Sequence, residues 1–181
     1  LTGCPAIDLV AESDLKLDPE IFKKYGGVGE EIDPDKDFIV VLQHPITTEY
    51  GEGFAQINHT LSAAFKHAQK GMQIIWLWPN VDAGSDDVSK GIRSFREKNN
   101  TINMRFYRNF SPEDYICLLA NAKCIVGNSS SGLRECAFLG TPCVNIGTRQ
   151  EGREKSDNVI DVNHDSNKIY EAINYQIKHG K

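Results

Sequence analysis

The chain has 181 residues, 40% of them hydrophobic, 25% charged and 9% aromatic, the composition of one ordinary globular domain. Lys plus Arg number 20 against 25 Asp plus Glu, a net charge of −5, which argues against a protein that coats nucleic acid. No apolar run approaches the ~18 residues of a membrane span.

Residues 1–36 read as an irregular, acidic linker or edge extension rather than core. Thr2-Gly3-Cys4-Pro5 is a turn, Asp18-Pro19-Glu20 starts a short helix through Lys24, Gly26-Gly27 breaks it, and Asp33-Pro34-Asp35 turns again. From Asp37 the pattern becomes regular. Phe38–Leu42 is a continuous apolar run and a buried strand. A helix over Phe54–Lys70 carries Phe54, Ile57, Leu61, Ala64, Phe65 and Ala68 on its inner face. A strand over Met72–Trp78 follows, then a helix over Ser85–Lys98 with Val88, Ile92 and Phe95 inward, and a strand over Ile102–Tyr107. Ser111 caps a helix opened by Pro112 and two acids and running to Ala122. Cys124–Val126 is a strand, Ser131–Leu139 a helix stopped by Gly140, and Pro142–Ile146 and Asn158–Val162 are strands. Asn167–Lys178 closes the chain as a helix with Ile169, Ala172, Ile173 and Ile177 inward.

Strands and helices alternate, and the strands are apolar throughout. This predicts an α/β fold: a doubly wound parallel sheet, Rossmann-like, over residues 37–181. The five cysteines, Cys4, Cys117, Cys124, Cys136 and Cys143, are odd in number and contain no C-x-x-C pair. They point to a reducing, cytoplasmic setting and to no metal site. No signal-peptide pattern opens the chain, and a start at Leu1 rather than Met is what a fragment would show.

In such sheets ligands bind beyond the carboxyl ends of the strands. Small, polar and basic residues follow five strands here: Gln43–Thr48, Pro79–Ser85, Arg108–Phe110, Gly127–Gly132 and Gly147–Arg153. In Gly127–Glu135 a glycine ends the strand and three serines lead into a helix, so free peptide N–H groups and hydroxyls could cradle a phosphate. Serine capping of the helix is the plain alternative. Glu135 could bind ribose hydroxyls or only complement the helix dipole. His44 lies between a buried strand and Pro45, which holds its backbone extended. It suits a phosphate contact, a proton transfer or a simple rim hydrogen bond. Arg149 could clamp a phosphate, and Phe110 could stack a base or seal a loop. Trp76 and Trp78 read as core; His59, His67, His164 and His179 read as surface. No paired carboxylates stand at a useful spacing: beyond Glu135 the rim offers Asp82 and Glu151.

Four segments together resemble the UDP-N-acetylglucosamine 2-epimerase family: Leu42-Gln43-His44-Pro45-Ile46-Thr47-Thr48, Pro79-Asn80-Val81-Asp82-Ala83-Gly84-Ser85, Gly127-Asn128-Ser129-Ser130-Ser131-Gly132-Leu133-Arg134-Glu135 and Gly140–Gln150. The His-Pro-x-Thr and Pro-Asn-x-Asp-Ala-Gly-Ser forms resemble its hydrolysing branch, which feeds sialic and related nonulosonic acid synthesis. The resemblance implies the second half of a two-domain GT-B architecture, with the catalytic first domain outside this chain and residues 1–36 joining the two. It implies UDP and UDP-N-acetylglucosamine as ligands, no cofactor or metal, and a homodimer for the full-length protein. It assigns His44 to the phosphate side and to catalysis. Asn80 and the Phe110 backbone would line the uridine and cleft edge, Ser129 and Ser130 would hold the diphosphate, Glu135 the ribose, and Arg149 the nucleotide. A GT-B glycosyltransferase domain and a non-enzymatic nucleotide-binding domain are the rival readings.

Overall fold

The computed structural model describes residues 3–179. In chain order the elements are α1 (Pro5–Glu12), α2 (Ile21–Lys24), β1 (Val28–Gly29), β2 (Phe38–Leu42), α3 (Gly53–Ala68), β3 (Gln73–Leu77), α4 (Ser85–Lys98), β4 (Met104–Tyr107), α5 (Pro112–Asn121), β5 (Ile125–Gly127), a 3₁₀ turn (Ser130–Gly132), α6 (Glu135–Leu139), β6 (Cys143–Ile146), β7 (Val159–Val162) and α7 (Ser166–His179).

The seven strands form one sheet in the order β1-β4-β3-β2-β5-β6-β7. Every neighbouring pair from β4 to β7 is parallel. The chain therefore winds outward from β2 through β3 to β4, returns to β5 beside β2, and winds out the other way. This is the doubly wound arrangement expected from the alternating pattern, and its direction reverses between β2 and β5.

The continuous apolar run of β2 serves two cores at once. Side chains alternate along a strand, so Ile39 and Val41 join Ile57, Leu61, Ile74, Trp76, Ile92, Val126 and Ile173 beneath α3, α4 and α7. Phe38 and Val40 join Ile75, Leu77, Leu118, Leu119, Ile125 and Cys136 beneath α5 and α6. Burial on both faces is why polar alternation is missing from these strands. Ser111 caps α5 as expected, its Oγ accepting from the Asp114 N–H at 3.2 Å.

Several expectations need correction. Within residues 3–36, β1 does extend the sheet edge, antiparallel to β4, but the segment is also core: Ile21, Phe22 and Ile32 are buried in the second cluster, and α1 packs on α5 and α6. The turn expected over Thr2–Pro5 lies partly outside the described residues, and Pro5 already begins α1. The helix expected over Ser131–Leu139 is broken into a 3₁₀ turn and a five-residue α6, with Arg134 at φ −108° and ψ −75° between them. Phe54 is 38% exposed rather than inward. His67 is buried rather than on the surface, its ring 4.4 Å from that of Tyr170, and His164 is half-buried.

Candidate functional site

The site grows from the reversal point of the sheet. Leu42 of β2 pairs with Gly127 of β5, and beyond that pair the two chains diverge. Gly127 has φ +133°, and a Cβ there would lie 2.0 Å from the Leu42 carbonyl oxygen. Only glycine allows this approach. Asn128 follows it, buried completely. Its N–H donates to the Leu42 carbonyl at 3.2 Å. Its side chain then carries the pairing further: Oδ1 accepts from the His44 N–H at 2.7 Å, and Nδ2 donates to the His44 carbonyl at 2.9 Å.

His44 is thereby fixed at the strand end, 5% exposed. Its Nδ1 accepts from the Asn80 N–H at 3.3 Å. A ring nitrogen that accepts carries no proton, so this geometry assigns the proton to Nε2. Burial, and secondarily the nearby Arg149 charge, lower the imidazole pKa to about 4, against an opposing pull from Asp82. At neutral pH His44 is an uncharged ring offering one N–H donor. Asn80 contributes its peptide to this contact, while the residue itself is exposed.

The serine turn sits next to His44. Ser129 caps the 3₁₀ turn, its Oγ accepting from the Ser131 N–H at 3.4 Å and pairing with the Ser131 hydroxyl at 2.7 Å. Ser131 in turn pairs with the buried Tyr115 hydroxyl at 2.7 Å. The half-buried Ser130 hydroxyl has no protein partner. The break in the expected helix shortens α6 to a single turn, so the anion donors here are hydroxyls and turn peptides rather than a long helix dipole. Glu135 opens α6 with its Oε2 buried and unpartnered; Oε1 is 4.0 Å from Arg134. A buried carboxylate oxygen without a donor is costly unless a ligand supplies one, which suits the ribose role.

Arg149, after β6, donates from Nη1 to the Asn128 carbonyl at 3.1 Å, and its Nη2 is 4.0 Å from Asp82. Gln150 is fully buried and donates from Nε2 to the same carbonyl at 2.7 Å. Around Asn128 the structure thus gathers His44, Ser129 and Arg149, with Asn80 joined through His44 and Glu135 one turn further on. Phe110 stands apart: its ring packs 4.6 Å from Tyr25 and 4.9 Å from Tyr107, as a loop-sealing residue would. A cavity of about 1030 Å³ opens between the β3 and β4 ends, lined by Asn80, Trp78, Arg93, Arg108 and Asn109 among others. A second, of about 460 Å³, lies between Pro45–Thr48, Asp82 and Arg149.

Sequence reasoning missed Asn128, Gln150 and Tyr115. An apolar strand followed by a buried amide is ambiguous in sequence, because its partners lie 84 and 22 residues away. The rim holds a neutral imidazole N–H, hydroxyls, a guanidinium and a carboxylate on neighbouring segments, although neither of the two cavities is lined by His44, Ser129, Ser130 or Glu135. Such a set can hold an oxyanion and a diol. Among the described residues no three His, Cys, Asp or Glu side chains gather as a metal site, and no helix is long and apolar enough to cross a membrane.

The comparisons with known proteins agree with this chemistry. The chain is 32% identical over 160 residues to a UDP-N,N'-diacetylbacillosamine 2-epimerase (hydrolyzing) of Legionella pneumophila, covering 88% of this chain and 40% of that protein. It is 34% identical over 172 residues to the polysialic acid biosynthesis protein P7 of Escherichia coli, covering 92% and 41%. The chain spans less than half the length of these relatives. Its fold matches the Methanocaldococcus jannaschii UDP-GlcNAc 2-epimerase, solved in complex with UDP-GlcNAc and UDP, with a TM-score of 0.65 at 15% identity over 98% of this chain and 45% of that one. The family model for UDP-N-acetylglucosamine 2-epimerase matches residues 1–181, and the chain belongs to that family.

Proposed function

We propose that this chain is the UDP-binding half of a hydrolysing UDP-N-acetylglucosamine 2-epimerase, built as the second domain of a GT-B enzyme. The observation that carries the reading is the attachment of the His44 backbone and the Arg149 guanidinium to Asn128, directly before the Ser129 turn, at the reversal point of the sheet. The wording of the Legionella relative's name and the His44-Pro45 and Pro79–Ser85 motifs support the hydrolysing branch. The protein as a whole would be a cytoplasmic homodimer in the sialic or nonulosonic acid pathway, with residues 1–36 leading in from a first domain that carries the base.

In the proposed reaction a base takes the proton from C2 of the sugar. The C1–O bond breaks, UDP departs with the bonding electrons, and a C1=C2 double bond forms. Water then adds its hydroxyl to C1 and a proton to C2 from the opposite face, giving N-acetylmannosamine. Negative charge grows on the departing diphosphate, and donors already fixed there lower the barrier without reorganising. His44 Nε2–H, the Ser129 and Ser130 hydroxyls and Arg149 are those donors in this reading. Glu135 takes the ribose hydroxyls, and the Asn80 and Phe110 segments border the uridine. No metal or cofactor is needed for a step in which the leaving group is already activated.

Calorimetry of the chain with UDP, GDP and UDP-N-acetylglucosamine tests this. UDP binds, GDP binds more weakly, and the sugar adds little. Ser130→Ala weakens UDP by about 1 kcal/mol, the usual net value of one hydrogen bond. Arg149→Ala costs about 1.5–3 kcal/mol, as a charge-assisted contact does. Unchanged affinity in both variants rules out the diphosphate assignment.

A further inference from the structure

Asn128 lies in the middle of the candidate anion rim, yet none of its polar atoms is free for a ligand. The residue is completely buried. Its N–H is spent on the Leu42 carbonyl and its two side-chain atoms on the His44 backbone. Its carbonyl is spent on Arg149 Nη1 and Gln150 Nε2. It therefore joins three segments that are far apart in sequence: the His44 loop, the serine turn and the Arg149 loop.

The arrangement follows from where β2 ends. The ladder between β2 and β5 stops at Leu42 and Gly127, while His44 is still buried. Its peptide N–H and carbonyl would be orphaned there, at a cost of about 1–3 kcal/mol each. Pro45 has no N–H with which to continue a ladder. A carboxamide carries a donor and an acceptor at the spacing of a peptide group, so Asn128 satisfies both orphans with one side chain. Aspartate lacks the donor, and serine can meet only one of the two groups.

We propose that Asn128 is a positioning residue whose side chain aims the His44 ring at a bound diphosphate, beside the Arg149 guanidinium that its main-chain carbonyl holds. The inference rests on the nucleotide reading of the rim. Asn128 touches neither ligand nor reacting atom. Its side chain acts by fixing the His44 backbone, from which the direction of Nε2–H follows. Asn128 makes no hydrogen bond to Phe110 or Glu135 and reaches Asn80 only through the His44 ring.

The test uses the 181-residue chain, Asn128→Ala and the milder Asn128→Ser. Affinities for UDP and for uridine are measured by titration, and the His44 ring is followed by nitrogen-15 NMR against pH. Each folded variant keeps the main-chain carbonyl that holds Arg149 and loses only the side-chain hold on His44; UDP affinity falls about tenfold, as expected when one aligned donor is released, while uridine affinity stays within twofold. The His44 titration midpoint rises from about 4 toward the ordinary value near 6.5, and the Nε2–H form ceases to be exclusive. Equal losses for UDP and uridine would mark a residue that only supports folding and would overturn the proposal. So would UDP affinity and His44 titration that match the wild type. Should the wild-type chain bind no UDP, the nucleotide reading falls, and an unchanged His44 titration in the variants would then overturn the positioning role separately.

Discussion

His44 shows how burial decides the chemistry a side chain can offer. An exposed histidine is half-charged near pH 6.5; this one is 5% exposed and held near a pKa of 4, first by burial and then by Arg149. It can therefore donate a hydrogen bond to an oxyanion at neutral pH but cannot present a positive charge. The shift also links folding to acid. The unfolded chain binds a proton at His44 below about pH 6.5, whereas the folded chain resists it down to about 4. Stability contributed by neutral His44 is thus fully present above pH 6.5 and is lost as pH falls toward 4, by at most roughly 3 kcal/mol. His67 and His164, also shifted downward by burial, act in the same direction from the same starting pH. Urea unfolding of wild type and His44→Gln between pH 7 and 4.5 checks this: the variant loses less stability over that interval. Parallel curves would mean that His44 titrates normally in the folded chain.

At the scale of elements, the approach of β5 to β2 sets the geometry of everything beyond it. Gly127 has both a positive φ and no room for a Cβ, whose nearest neighbour would be the Leu42 carbonyl at 2.0 Å. Gly127→Ala must push the strands apart or rotate the peptide, either of which also displaces Asn128 and His44. A loss of about 3 kcal/mol or more is expected, in the range of backbone strain combined with a steric clash. Thermal unfolding reads it, and a variant within 1 kcal/mol of wild type would show that the strand end is plastic. Most of the elements were legible in the sequence because each buried run is long and apolar: β2 through its five hydrophobic residues, α4 through Val88 and Ile92, α5 through its Ser111-Pro112 start. The break at Leu133-Arg134 was not, since Leu133-Arg134-Glu135 and Ala137–Leu139 favour a helix on propensity alone. The turn is instead fixed by tertiary contact: Gly132 packs so closely that a Cβ there would meet Cys143 Sγ at 2.5 Å. Burial of Ile21, Phe22 and Ile32 was hidden for a related reason. Isolated apolar residues among acids and glycines give no periodicity, and only their packing into the second core cluster makes use of them. In the candidate site the groups that face a ligand were readable from strand ends, whereas the buried amides that hold them were not.

On the scale of the whole molecule, the rim is rich in donors and poor in bases. Epimerisation at C2 requires removal of a carbon-bound proton, and losing a general base typically costs ~10²–10⁴ in rate. Two carboxylates of the loops after β2 and β3 are already engaged. Asp82 faces Arg149 at 4.0 Å, and Glu49 accepts from Thr148 and Gln56, each at 2.5 Å. Glu135 lies beside the serine turn, where the ribose reading places it, and Glu151 is exposed. His44 is a poor base for a different reason: its Nδ1 is occupied by the Asn80 N–H, its Nε2 carries the proton, and a pKa near 4 gives little driving force for proton abstraction. The donor rim also forms one open face, so neither water exclusion nor orientation of the sugar is supplied from the other side. This chain spans 40% of the length of its Legionella relative, and under the proposed reading the remaining surface of such a cleft belongs to another domain. The isolated chain is therefore expected to bind UDP without turning over UDP-N-acetylglucosamine. Incubation of purified chain with that substrate, followed by chromatography for UDP and N-acetylmannosamine, measures this directly. Turnover at about 1 per second, an ordinary enzymatic rate, would place the base within these 181 residues. Asp82 would then be the first candidate, because a swing of Arg149 onto the diphosphate would release its carboxylate beside the sugar.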